Sequence, residues 1–460
     1  MPRRHVPAIL LGAIALALSQ AVADGAKRGP WDTAKIFTAP AYRESSKAKK
    51  DGLKALLYSG LPYRGKPTEV FAYYGAPKGD RPKNGWPAVV CIHGGGGTAF
   101  DAWVKIWNGH GYAAISMDLE GHYPIKRGGS RNRRARESVE KPGPSRVGVF
   151  GDYDKPLEEQ WYYHAVAQVI LAHSLIRSLP EVDANKTGVT GISWGGTLTS
   201  TTMGIDDRFK FAIPVYGCGF LPGSGGHQGR ALRTGEQRAY VAKHYDGSAY
   251  FKYVKIPVFW VNGTNDHHFA MPATQKSFQA VRGPSTLRFQ HGMKHGHRPG
   301  WAPGEIYAFA DSVVRDAAAL PQLGEPRIAA DAASCACTSP KGIRKAELFY
   351  TTDTCIWPDR KWQSIPARAA SGTLTAAVPT GAVAVFFSVT DERGLTVTSM
   401  FTETPSRRDG SVERAESVRQ GLSSRSRDLR EAGSRHCGIR LEQKSRQQFG
   451  IEQQVGRYPA

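Results

Sequence analysis

Ser193 stands at the centre of Gly191-Ile192-Ser193-Trp194-Gly195-Gly196, between a β-branched run from Lys186 to Thr190 and a stretch of small residues suited to open a helix. A serine at the tip of a tight strand-to-helix turn is lifted clear of its sheet, and glycines two places to either side let neighbouring backbones close in. The chemistry on offer is nucleophilic attack on an acyl carbon. It requires oxyanion donors, a base and an orienting carboxylate to reach the same hydroxyl.

Each of these has a candidate, in a consistent chain order. The apolar run Trp86 to Ile92 leads into His93-Gly94-Gly95-Gly96-Gly97, a loop whose amides are unobstructed by side chains. Pre-aimed N–H groups stabilise the negative oxygen of a tetrahedral intermediate by roughly 3 kcal/mol each, and Gly95 and Trp194 are the expected pair. A phosphate cradle is disfavoured, because neither P-loop nor Gly-x-Gly-x-x-Gly spacing is present. A second apolar run, Ile256 to Val261, ends in Asn262-Gly263-Thr264-Asn265-Asp266-His267-His268. Asp266 is placed to accept an imidazole Nδ1 proton and fix the tautomer; a turn-capping aspartate is the plainer alternative. Consecutive histidines on an extended segment point apart, so His267 and His268 do not read as a metal site.

The base should come from His291-Gly292-Met293-Lys294-His295-Gly296-His297, which follows the strand-like Thr286 to Gln290. His295 is favoured, several residues past the strand and followed by glycine; His297 is the second choice and His291 the third. No carboxylate or cysteine stands near enough in sequence to make this His-rich loop a metal site, so neither metal nor cofactor is expected.

Ser193, Asp266 and His295 follow one another in the Ser, Asp, His order of the α/β-hydrolase fold. Residues from about 55 to 318 resemble the dienelactone hydrolase, acetyl xylan esterase and prolyl-oligopeptidase-like group of that superfamily. The resemblance rests on the His93 to Gly97 loop, Met117-Asp118-Leu119-Glu120-Gly121-His122, Val182-Asp183, the Gly191 to Gly196 turn, Gly263 with Asp266, and the His295 loop. It implies metal-free hydrolysis through a Ser/Asp/His triad on sugar esters, lactones or peptides. It also implies that Asp118 is a structural acceptor.

The elements that must carry these loops agree. Strand-like segments at 68–74, 88–92, 112–117, 186–190, 210–216, 255–261 and 286–290 alternate with helical ones, the pattern of a doubly wound, mostly parallel α/β sheet. The clearest helix is expected from Leu157 to Leu179, with Trp161, Ala165, Val169, Ala172, Ile176 and Leu179 on one apolar face and Pro180 as its stop. His164 and His173 within it are expected to pack or face solvent.

Residues 1–23 read as a signal peptide: a basic Arg3-Arg4 start, an apolar run from Val6 to Leu18 too short to span a membrane, and Ala21-Val22-Ala23 as a cleavage site. A secreted or periplasmic chain starting near Asp24 is expected, with the hydrolase domain over 24–320. Residues 321–404 contain β-rich segments at 344–351, 373–378, 382–389 and 395–401, which read as a small all-β sandwich. Trp357 and Trp362 are expected in its core, with sugar stacking as the alternative. The tail over 405–460, rich in Ser, Arg and Gln, reads as disordered. Of the six cysteines, Cys355 is a candidate to bridge Cys335 or Cys337, while Cys91, Cys218 and Cys437 have no evident partner.

The net charge of +21 is concentrated rather than spread. Segment 126–146 holds eight Lys or Arg against two Glu, and the tail from 404 holds twelve against seven acids. No aromatic-interleaved binding motif is present, so nucleic acid is not an expected partner. Segment 126–146 follows a strand whose carboxyl end faces the site, and is expected to be a solvated loop near its mouth, or an attractor of acidic polysaccharide. The expected activity is exported carboxylic-ester hydrolysis on a small-molecule or carbohydrate ester. A prolyl-oligopeptidase-type peptidase is the alternative, disfavoured because no propeller-length segment precedes the hydrolase. A non-catalytic binding protein on the same fold is the reading from another class.

Overall fold

Why the central strands read as unbroken apolar runs is explained by their position. The computed structural model describes residues 28–128 and 136–405, and places nine strands in one sheet ordered β1-β2-β3-β5-β4-β8-β9-β10-β11. These are β1 (Tyr42–Glu44), β2 (Lys54–Ser59), β3 (Glu69–Gly75), β4 (Trp86–Ile92), β5 (Ala113–Met117), β8 (Val182–Ile192), β9 (Phe211–Val215), β10 (Val258–Gly263) and β11 (Ser285–Gln290). From β5 through β4 to β11 every pairing is parallel, while β1, β2 and β3 are antiparallel. Parallel strands covered by helices on both faces have no solvated side, so Val89 to Ile92 and Val258 to Val261 are buried throughout. All seven strands expected from the sequence are present; β1 and β2 extend the sheet beyond them.

The expected helix over 157–179 is two elements, a 3₁₀ turn at Leu157–Glu159 and an α-helix at Trp161–Ser178, separated at Gln160. It does not have a single apolar face. Fifteen of its eighteen residues are buried, so its polar side chains need internal partners. His173 finds them: Nδ1 donates to Asp206 at 2.7 Å, and Nε2 lies 2.8 Å from the Thr187 hydroxyl. Burial, against the opposing pull of Asp206, keeps this ring neutral by lowering its pKa. His164 is likewise buried, 2.8 Å from the Glu158 carbonyl.

The helix after Ser193, Trp194–Ile205, is buried along its whole length. Its hydroxyls fold back onto carbonyls one turn earlier: Thr199 onto Gly195, Ser200 onto Gly196, Thr202 onto Leu198. A run of Ser and Thr therefore sits in the core without orphaned polar atoms. Cα packing of this kind depends on Gly195, where an added Cβ would run into the Ile92 carbonyl. Gly195→Ala is expected to destabilise by about 3 kcal/mol or more, because only backbone could move to relieve the clash. Thermal denaturation beside wild type checks this; an unchanged midpoint would contradict it.

Segment 126–146 is not wholly loop. Strands β6 (His122–Lys126) and β7 (Arg136–Ser138) pair antiparallel. Of its charged residues, Arg131, Arg133 and Arg134 lie outside the described residues, as do the expected signal peptide and basic tail, including Cys437.

The C-terminal region is a two-sheet antiparallel sandwich. One sheet joins β12 (Gln322–Leu323), β13 (Arg327–Ala329), β14 (Ala332–Thr338), β17 (Arg368–Ala370) and β18 (Thr373–Ala377); the other joins β15 (Lys345–Thr351), β16 (Gln363–Pro366), β19 (Ala384–Thr390), β20 (Thr396–Thr398) and β21 (Thr402–Glu403). Trp362 packs on Phe386 and Trp357 on Phe401, with ring centroids 4.9 and 4.2 Å apart. The candidate disulfide is not formed. Cys335 and Cys337, two apart on β14, both turn into the sandwich core as free thiols, whereas Cys355 lies in a loop. Strand β20 covers the edge of β11: the Phe289 amide donates to Thr398 Oγ1 at 3.0 Å, and the Thr396 amide to Glu305 Oε1 at 2.7 Å. The described residues through Thr404 accordingly form one compact unit.

Candidate active site

Sheet order brings the loops together. β4 neighbours β8, so the His93 loop lies beside Ser193; β10 neighbours β11, so the Asp266 loop lies beside the His295 loop; β9 alone separates the pairs. All four loops leave the carboxyl ends of parallel strands, where open α/β sheets carry their ligands.

Ser193 has φ +61° and ψ −116°. Such a conformation costs a residue other than glycine on the order of 1–3 kcal/mol. The Ser193 amide donates to the Val215 carbonyl at 2.9 Å, and the flanking glycines admit the neighbouring backbones. Its Oγ lies 2.9 Å from His295 Nε2, and His295 Nδ1 lies 2.6 Å from Asp266 Oδ2. Asp266 is buried, and its other oxygen accepts from the His268 and Phe269 amides at 2.8 Å each. A carboxylate so held accepts Nδ1–H and leaves Nε2 facing the hydroxyl as acceptor, the arrangement that takes a serine proton.

Of the three candidate histidines, His295 alone reaches Ser193. His297 opens the short helix His297–Trp301, which turns its ring onto the glycine loop. There Nε2 accepts the Gly94 amide proton at 2.9 Å, and the ring packs against Phe100 at 4.6 Å. Burial, helped by its neighbours His93, His295 and Arg136, pushes its pKa down to about 3. His291 is exposed and faces Phe349 of the sandwich, at 5.7 Å.

His93 fixes the opposite side of the glycine loop. Its Nε2 accepts from the Leu119 amide at 3.0 Å, so Nδ1 carries the proton and donates to the Gly94 carbonyl at 2.7 Å. Gly94 is thereby held through both backbone groups by two neutral imidazoles. The amides of Gly95 and Trp194 donate to nothing among the described residues. The two residues are neighbours in space, since a Cβ on Gly95 would stand 2.7 Å from Trp194 Cδ1 of the indole ring. Two free N–H groups beside a serine hydroxyl suit a developing oxyanion. Asp118 accepts from the Glu120 and His122 amides, 2.9 Å each, and holds the loop after β5 rather than reaching the site.

Several residues around the site were not singled out by sequence. The Tyr216 hydroxyl donates to the Lys294 carbonyl at 2.8 Å, and its ring lies 4.7 Å from that of His295. His268 packs against His295, with ring centroids 4.4 Å apart and the planes tilted; burial first, and then the neighbouring His295, push its pKa down to about 4. Arg146 pairs with Glu120 at 2.9 Å and lies over the Trp161 and Trp194 rings, while Arg136 reaches the Gly96 carbonyl at 3.4 Å. The basic segment thus meets the glycine loop. Among the described residues no group of three or more His, Cys, Asp or Glu could hold a metal ion, and no helix is long and apolar enough to cross a membrane.

Two family models match overlapping parts of the chain, and both include the Ser193 turn. That of acetyl xylan esterase covers residues 55–223, and that of the prolyl oligopeptidase family covers residues 151–311. The chain belongs to the α/β-hydrolase superfamily. Solved hydrolase structures align with it at low identity. Acetyl xylan esterase from Paenibacillus sp. R4 gives a TM-score of 0.47 and 20% identity over 68% of this chain and 96% of that one. Acetyl xylan esterase 1 from Thermoanaerobacterium sp. JW/SL YS485 gives 0.44 and 16% over 59% and 91%. Pyrococcus horikoshii acylaminoacyl peptidase gives 0.39 and 18% over 54% and 38%. No curated protein matches the sequence.

Proposed function

We propose that this α/β-hydrolase is an exported serine esterase acting on an acylated carbohydrate or a similar small carboxylic ester. The observation that carries the proposal is the unbroken hydrogen-bond chain from Ser193 Oγ through His295 to buried Asp266. In the proposed cycle His295 Nε2 takes the Ser193 proton as Oγ attacks the acyl carbon. The Gly95 and Trp194 amides receive the oxyanion, and the imidazolium, steadied by Asp266, returns its proton to the leaving alcohol. Water then enters by the same route and releases the acid. The acetyl xylan esterase match favours sugar esters; the basic N-terminal segment with its short apolar run favours export.

The prolyl oligopeptidase match keeps a peptidase as the second reading. A panel of acetyl, longer acyl, aryl and sugar esters beside a prolyl peptide separates the two. Ester turnover is expected, with the peptide at least about 100-fold poorer in kcat/KM; the reverse ranking overturns the proposal. Arg136 and Arg146 at the oxyanion loop give the panel a second axis. An ester carrying a carboxylate is expected to be preferred over its neutral analogue at low salt, with the preference fading near 1 M salt as screening shortens to about 3 Å. A salt-independent ratio would count against attraction of acidic substrates.

A further inference from the structure

The residue before the proposed orienting carboxylate is tied to the sandwich as well as to the hydrolase. Asn265 Nδ2 donates to the carbonyls of Pro358 and Arg360, at 2.8 and 2.7 Å. Its Oδ1 accepts from Thr264 Oγ1 at 2.8 Å, and that hydroxyl in turn accepts from the Gly292 amide at 3.4 Å. One amide side chain therefore links three things: the short turn Trp357–Asp359 of the sandwich, the loop bearing Asp266, and the loop bearing His295. The turn is itself anchored, with Trp357 packed on Phe401 and the Arg360 guanidinium 3.9 Å over its ring.

We propose that the sandwich is a working part of the active site, and that Asn265 is a positioning residue through which the Trp357–Asp359 turn fixes the Asp266 and His295 loops relative to Ser193. The proposal rests on the Ser/Asp/His reading above. Geometry at 2.6 Å between Asp266 and His295 has little tolerance, and displacement by about 1 Å costs on the order of 100-fold in rate. The hydrolase has another bond to the sandwich that bypasses both these loops and the turn: Gln322 Nε2 donates to Thr286 Oγ1 at 3.1 Å. It supplies the control.

The experiment compares wild type, Asn265→Ala, the isosteric non-donor Asn265→Asp, and Gln322→Ala in the full chain. Readouts are kcat, KM, the rate of labelling by a fluorophosphonate probe, and the melting temperature. Both Asn265 variants are expected to lose about 10- to 100-fold in kcat and in labelling rate, with KM within about threefold of wild type. Gln322→Ala should keep both rates even where its melting temperature falls as far as that of the Asn265 variants. Equal rate losses in the Asn265 and Gln322 variants, or unchanged rates with lowered melting in the Asn265 variants, overturn the proposal. Should the Asn265 variants not fold, Trp357→Leu, which dislodges the turn from the sandwich side, decides on the same criteria. Failure of wild type to label at all would instead defeat the serine-hydrolase reading, so the two failures are distinguishable.

Discussion

Ser193→Ala is expected to lower kcat on a responsive ester by roughly 10⁵- to 10⁶-fold and to abolish fluorophosphonate labelling, while substrate binding and folding persist. A nucleophile acting with its base as a unit gives losses of this order, equivalent to about 7–8 kcal/mol of activation free energy. Structural damage is an inadequate alternative source, because alanine keeps the Cβ and only the bond to His295 Nε2 is lost. A variant retaining a tenth of wild-type activity would show that Oγ does not attack, and would leave the free amides of Gly95 and Trp194 without their proposed task.

Substitution of the two nearby histidines should give opposite phenotypes. His295→Ala is expected to lose about 10⁴-fold or more in kcat. His297→Gln, which keeps an acceptor for the Gly94 amide, should stay within about tenfold. Its larger effect lies in stability against pH. The folded His297 pKa is depressed to about 3, against about 6.5 in an unfolded chain. Between those values the unfolded state holds more protons, so stability falls as pH drops through the window. His297→Gln should therefore flatten the decline in unfolding free energy between about pH 6.5 and pH 4. It flattens only part, since buried His173 and half-buried His268 are depressed in the same sense. Denaturant titrations at pH 7 and pH 4.5 measure it. Comparable kcat losses in both histidine variants would leave the assignment of the base unsupported.

What was legible in the sequence is what local spacing encodes. The Gly191 to Gly196 turn, the glycine run after His93 and the aspartate after Gly263 each sit within a few residues of an apolar strand, so strand, turn and exposed group can be read in one pass. Choosing between His295 and His297 could not be done that way. Two residues on one loop differ only in what folds against them, and the helix starting at His297 sends that ring to Gly94. Tyr216, His268 and Asn265 were silent for the same reason: their partners, Lys294, His295 and Pro358, are reached through space across as many as 93 residues. The burial of the Trp161–Ser178 helix on all sides was masked by histidines, glutamine and serine, residues that suggest a wet face until their acceptors are known. In the sandwich, strands β12, β13, β16 and β17 are short and polar, with no periodicity for the eye to catch.

Strand β11 carries the base loop and ends the large sheet, and its free flank is masked by β20, more than a hundred residues later in the chain. During synthesis the hydrolase portion is thus complete in sequence well before its outermost strand is shielded. For that interval the ribosome holds a nascent sheet with a bare, sticky rim, the form most prone to pair with another copy. Chains released before about residue 400 should consequently clump rather than yield a smaller working catalyst, which makes the sandwich a built-in guardian of its own predecessor.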